Sequence, residues 1–161
     1  MSSSGDSLVQ RVEQLTTFYV GNELFGIEVM KVQEVTGNPQ VIPVPLAPEF
    51  VRGLVNLRGQ IATAIGLSEL FAQKKSHDDL SEMSVVCKSE GNLISLVVDS
   101  IGDVVEVDGH KFEKTPDTVP QTLRRFVKGV YKMDGILLSV LDIETIFKEL
   151  STDSESTSGR S

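Results

Sequence analysis

Catalysis needs titratable or nucleophilic side chains that converge, and this sequence offers few. Its 161 residues include two histidines, His77 and His110, and one cysteine, Cys87. Cys87 ends the run Met83-Ser84-Val85-Val86-Cys87, which reads as a buried strand where a thiol behaves as a small hydrophobe. A single cysteine also rules out an intrachain disulfide. His77 lies in the polar stretch Gln73 to Glu82, expected to be an exposed connector, and His110 follows the turn signal Asp108-Gly109. Their spacing matches no metal-ligand pattern. Asp99, Asp103, Glu106 and Asp108 recur at strand-like spacing and are expected to form a solvated strand face. No phosphate-binding glycine loop, nucleophile elbow or His-x-x-x-His helix is present in the sequence. The expectation is a protein that is not an enzyme and uses no cofactor or metal. A hydrolase would need Cys87 and His110 to converge in space.

The chemistry on offer is recognition, and Arg58 is its clearest carrier. In Asn56-Leu57-Arg58-Gly59 a guanidinium with five donors stands beside a glycine at a turn signal. Its context is an internal repeat. Phe50–Phe71 aligns without a gap on Phe126–Phe147 at a constant offset of 76, so Phe50-Val51-Arg52-Gly53-Leu54 faces Phe126-Val127-Lys128-Gly129-Val130. Leu57, Gly59, Ile61, Ile65, Leu67, Leu70 and Phe71 meet Met133, Gly135, Leu137, Leu141, Ile143, Ile146 and Phe147. Upstream, Leu24–Val29 aligns on Leu93–Val98 at an offset of 69, which also carries Val32 onto Ile101 and Glu34 onto Asp103. The order is A–B–A′–B′. A unit of this size is near the lower limit of independent stability, so the copies are expected to share a buried face.

At the position of Arg58 the second copy has Asp134, in an Asp-Gly pair between two apolar runs that favours a type I′ hairpin. Arg is a poor residue for positive φ. Shared geometry therefore implies a strained, exposed Arg58, whereas a type II turn would place only Gly59 there.

The positioning elements follow from pattern. Thr17–Val20 and Phe25–Val29 flank Gly21-Asn22-Glu23, Val85–Cys87 and Leu93–Val98 flank a second turn, and Val130–Met133 and Ile136–Leu141 flank Asp134-Gly135. Pro48 to Gly53 reads as a short helix, with Pro at its start and Gly past its end. Asp142 is placed to cap a helix over Ile143–Leu150, whose apolar residues fall at Ile143, Ile146, Phe147 and Leu150. Many short strands with few helices predict a mainly β fold, a small barrel or sandwich.

Fifteen basic against 23 acidic residues give a net charge of −8, and neither Lys74-Lys75 nor Arg124-Arg125 makes a basic stripe, so nucleic acid is not an expected partner. Residues 1–14 and 151–161 read as polar tails too poor in apolar residues to order themselves. No apolar run approaches the ~18 residues needed to span a bilayer, so no membrane insertion is expected and the chain is placed in the cytoplasm.

Four segments together resemble the CheW family of chemotaxis adaptors: Phe25-Gly26-Ile27-Glu28-Val29-Met30-Lys31-Val32-Gln33-Glu34-Val35, Pro48 to Gly59, Leu96-Val97-Val98-Asp99 and Phe126-Val127-Lys128-Gly129-Val130. The resemblance runs from about Leu15 to Leu150. It implies two pseudo-symmetric SH3-like five-stranded β-barrels sharing a hydrophobic core, interleaved from units of roughly 15–71 and 84–147, with a few short helices including one at the C-terminus. It also implies a scaffold peripheral to membrane receptor arrays, with two partners: the regulatory domain of the histidine kinase CheA, and the cytoplasmic tip of methyl-accepting chemoreceptors, whose helix lies in an apolar groove between subdomains. The partner-binding residues it implies are Arg58, Gly59, Asn56, Val32, Glu34, Val35 and Gly53. Where the family has a Pro and then Asp-Leu-Arg after its Arg-Gly turn, this chain has Thr63, Gly66 and Ser68. That departure suggests a specialised paralogue serving another receptor pathway. A small-ligand sensor using the groove is the reading from another class.

Overall fold

The computed structural model describes residues 12–37, 40–73 and 81–158. His77 and its neighbours Lys74, Lys75, Asp78 and Asp79 fall outside these residues. Two five-stranded sheets carry the fold. Barrel A is built from β1 (Val12–Val20), β2 (Glu23–Glu28), β8 (Ser100–Asp108), β9 (Val127–Met133) and β10 (Ile136–Leu141), in the order β8-β1-β2-β10-β9. Barrel B is built from β3 (Val32–Gly37), β4 (Val51–Leu57), β5 (Gln60–Gly66), β6 (Met83–Ser89) and β7 (Asn92–Val98), in the order β3-β6-β7-β5-β4. Replacing each strand by its repeat partner turns one order into the other. Each sheet has one parallel pair, β2 with β10 and β5 with β7.

Neither barrel belongs to one repeat. The first repeat gives β1 and β2 to barrel A and β3, β4 and β5 to barrel B; the second gives β6 and β7 to B and the rest to A. In the first repeat the chain crosses over at a 3-10 turn, Val29–Lys31. The reason lies in the core. Each barrel encloses only a few side chains, such as Leu15, Tyr131 and Leu138 in A and Val55, Ala64 and Val97 in B. The larger cluster fills the space between barrels and draws on both repeats. Phe18, Phe25, Phe71 and Phe126 run through it with successive ring centroids 6.2, 5.2 and 6.0 Å apart. Burying a side chain of this size is worth about 1.5–3 kcal/mol, so the junction outweighs either barrel interior. The SH3-like architecture and the shared core are as the resemblance implied.

Several local expectations need correction. Pro48 to Gly53 is not a helix: Val51 N–H reaches Pro48 O at 2.9 Å in a single turn, and β4 begins at Val51. Gly53 lies within β4 at φ 146, with Ile42 O against the place its Cβ would occupy. Strand β1 starts at Val12, so Val12–Gln14 are not tail; their backbones pair with Asp108, Val107 and Glu106, and ladder hydrogen bonds do not require apolar side chains. Glu82, assigned to an exposed connector, is buried. Asp99 is not merely a solvated strand residue, because its Oδ2 accepts the Gly21 N–H at 2.8 Å.

Among the described residues three α-helices complete the fold: α1 (Leu67–Leu70), α2 (Gln121–Arg124) and α3 (Ile143–Ser158). Asp142 caps α3 as expected, its Oδ1 accepting the Thr145 N–H at 3.2 Å. The α3 backbone continues past Leu150 to Ser158, into the expected tail, because extending a packed helix by about two turns needs no new nucleus.

Candidate functional site

The β4–β5 hairpin carries the first candidate surface. Arg58 sits at φ 55 and Gly59 at φ 88, matching Asp134 at φ 36 and Gly135 at φ 81 in the other copy. Both central residues are left-handed, so this is the type I′ geometry and not type II. Asn56 supports the tip, its Oδ1 accepting the Gly59 N–H at 2.9 Å. Arg58 tolerates the unfavourable backbone and projects a side chain that is 86% exposed, with Nη2 3.4 Å from Glu34 Oε1.

Glu34 belongs to β3, one edge of barrel B, whereas β4 is the opposite edge. The ion pair therefore spans the seam where the sheet has no ladder between its edges. The corresponding positions of barrel A are Asp103 and Asp134, which cannot form such a pair. The surface is specific to one copy.

Not every expected contact residue lies on it. Arg58, Gly59, Asn56 and Glu34 come together, and Val35, on β3 and paired with Val85 of β6, is exposed. Val32 turns inward against the shared core, and Gly53 is buried.

A second surface lies at the barrel junction and was not legible as such. The start of β1 (Val12, Glu13, Gln14) and the crossover turn (Glu28, Val29, Met30, Lys31) line a groove of about 550 Å³. Met30 is 97% exposed and Val12 is 60% exposed, an unusual pairing of large apolar side chains in water. The one signal was Met30 within the quoted Phe25–Val35 motif. Ion pairs run beside the groove: Lys128 to Glu28 at 3.2 Å, Glu28 to Lys31 at 3.9 Å, and Lys31 to Glu144 at 3.5 Å. They link barrel A, the crossover and α3.

A third cluster, also missed, lies inside. Arg52 donates from Nε and Nη2 to Glu69 at 3.0 and 3.1 Å, and from Nη1 and Nη2 to Glu82 at 3.0 and 3.1 Å. The Glu82 hydrogen bonds, with those of Glu69, hold the guanidinium proton more tightly than usual, against the opposing effect of burial. The residues of ordinary chemistry do not converge. Cys87 is fully buried in the shared core, where desolvation pushes its thiol up to about 12. His110 is held on the surface by Asp108, with Nδ1 to Oδ1 at 3.0 Å. Among the described residues no three metal-ligating side chains cluster.

Two strand-exchanged SH3-like barrels, with an exposed hairpin tip and an apolar-rimmed groove at their junction, have the architecture of a scaffold. The CheW-like domain model matches residues 14–151, so the chain belongs to the CheW-like family. It is 33% identical over 143 residues to the chemotaxis protein CheW of Treponema pallidum, covering 85% of this chain and 84% of that protein. To the chemotaxis protein CheW of Rhizobium meliloti it is 26% identical over 147 residues, covering 91% and 95%. The crystal structure of the scaffolding protein TtCheW from Thermoanaerobacter tengcongensis superposes with a TM-score of 0.74 at 27% identity, over 81% of this chain and 88% of that one.

Proposed function

We propose that this chain is a non-enzymatic coupling adaptor of bacterial chemotaxis, joining the cytoplasmic tip of methyl-accepting chemoreceptors to the regulatory domain of the kinase CheA. The observation that carries it is Arg58, held at φ 55 on an exposed tip and paired with Glu34 across the seam. A fold does not keep a strained, exposed arginine there for its own stability. Arg58, Gly59, Asn56 and Glu34 form one contact surface, with exposed Val35 beside it on the other face of β3. The junction groove, with Met30 and Val12 at its rim, suits the apolar face of a receptor helix. The adaptor role puts the chain in the cytoplasm, peripheral to membrane receptor arrays. Among the described residues no helix is long and apolar enough to cross a membrane.

The test is reconstitution with CheA and receptor-bearing vesicles. Arg58→Glu is expected to leave the adaptor folded and to abolish receptor control of kinase activity. Normal control by this variant removes Arg58 from the contact surface. No binding of the native chain to either partner overturns the reading as a whole.

A further inference from the structure

The two copies treat one basic residue differently. Arg52 and Lys128 are repeat partners, and each is the extra residue of a β-bulge: Val51 pairs with Ile65 and Gly53 with Ala64, while Val127 pairs with Leu141 and Gly129 with Val140. A bulge re-aims its extra side chain. Lys128 is aimed outward at half-exposed Glu28. Arg52 is aimed inward and takes both oxygens of two carboxylates, Glu69 on α1 and Glu82 just before β6.

Gly66 explains how this fits. Its partner Asp142 caps α3, whereas Gly66 gives α1 no side-chain cap. A Cβ on Gly66 would collide with Glu69 Oε1 and lie 2.6 Å from Arg52 Nε. The Arg52–Glu69 pair thus fills the space that a side chain on Gly66 would take. The carboxylate present at the cap in one copy stands three residues later in the other.

We propose that Arg52 is a clasp tying the end of the first repeat, through Glu69, to the start of the second, through Glu82, and that Gly66 is glycine because the clasp closes over it. Glu69 replaces the missing cap carboxylate as the anion that Arg52 needs. The clasp joins β4, α1 and β6. Unlike surface pairs, it is mostly shielded, with Glu82 only 5% exposed.

The proposal stands apart from any partner and is tested on the free full-length chain by thermal unfolding and by amide exchange over residues 67–73 and 81–86. Gly66→Ala is expected to lower the melting temperature by roughly 5 °C or more. Gly66→Asp should do the same alone, and recover most of the loss when combined with Glu69→Ala, since the introduced carboxylate then serves both Arg52 and the α1 cap. Arg52→Met should speed exchange in both windows together. If Arg52→Met does not fold, Arg52→Lys, which lacks the fork for two carboxylates, should give a smaller rise in the same windows. A native-like melting temperature for Gly66→Ala, additive losses in the double variant, or a rise confined to one window overturns the clasp.

Discussion

Arg58 and Glu34 meet across the seam between the edge strands of barrel B, Nη2 to Oε1 at 3.4 Å, joining the tip beyond one edge strand to the opposite edge. An exposed pair of this kind is worth about 0–1 kcal/mol, too little to justify an arginine at positive φ. The two considerations separate stability from contact. Arg58→Asn, which suits the left-handed region, should fold with stability within about 1 kcal/mol of native by urea denaturation, while losing coupling of kinase to receptor. A large stability loss with coupling intact would reverse the assignment.

A double-mutant cycle isolates the pair itself. Arg58→Ala, Glu34→Ala and the double variant should give a coupling energy of roughly 0.2–1 kcal/mol that shrinks as salt is raised. The effect on partner binding should exceed that value. If both readouts move by the same small amount, the pair is only a stitch across the seam.

The junction groove predicts a mutation silent to folding. Met30 is almost wholly exposed, so Met30→Glu should change stability by no more than about 0.5 kcal/mol. Binding to receptor-bearing vesicles should fall sharply, since a carboxylate at an apolar rim must be desolvated when a helix docks. Kinase-domain binding in solution should be unaffected.

Cys87 gives a pH dependence with a definite sign. Burial raises the thiol from about 9 in the unfolded chain to about 12 in the fold, so the folded state holds its proton longer. The stabilisation is fully present below pH 9 and is lost as pH rises from 9 toward 12. The slope is at most ~1.4 kcal/mol per pH unit. Cys87→Ala, although less stable at about pH 7, should show a shallower decline over roughly pH 9 to 11 in parallel denaturation curves. At about pH 8 a thiol reagent should react with native protein only as fast as it unfolds.

The Asp142 cap should be worth about 1 kcal/mol, read as the loss in Asp142→Ala. The same substitution logic fails at Gly66, where no side-chain cap exists to remove.

The repeat was legible because apolar spacing survives in both copies, and it correctly paired Asp134 with Arg58 at the hairpin tips. It could not reveal the exchange between barrels. Alignment says that β3 and β8 are equivalent; only long-range packing decides that β3 lies beside β6 and β8 beside β1. Pro48 and Gly53 misled because the same punctuation serves a helix and a turn entering a bulged strand. Arg52 was visible as a basic residue before glycine, yet its direction depends on the bulge, which leaves no mark in composition. Glu34 was reached only through family resemblance, since nothing local distinguishes it from other strand carboxylates. Met30 lay inside a recognised motif without a role, because its exposure follows from the crossover turn.

That crossover has an architectural consequence. An unduplicated unit folded this way would send two strands into one barrel and three into another, completing neither. It could bury its phenylalanines only by trading strands with an identical molecule. The present chain thus has the architecture of a strand-swapped dimer joined into one polypeptide, and its halves need not stay identical. One carries Asp134 on its hairpin, while the other carries Arg58 there and closes a clasp over Gly66.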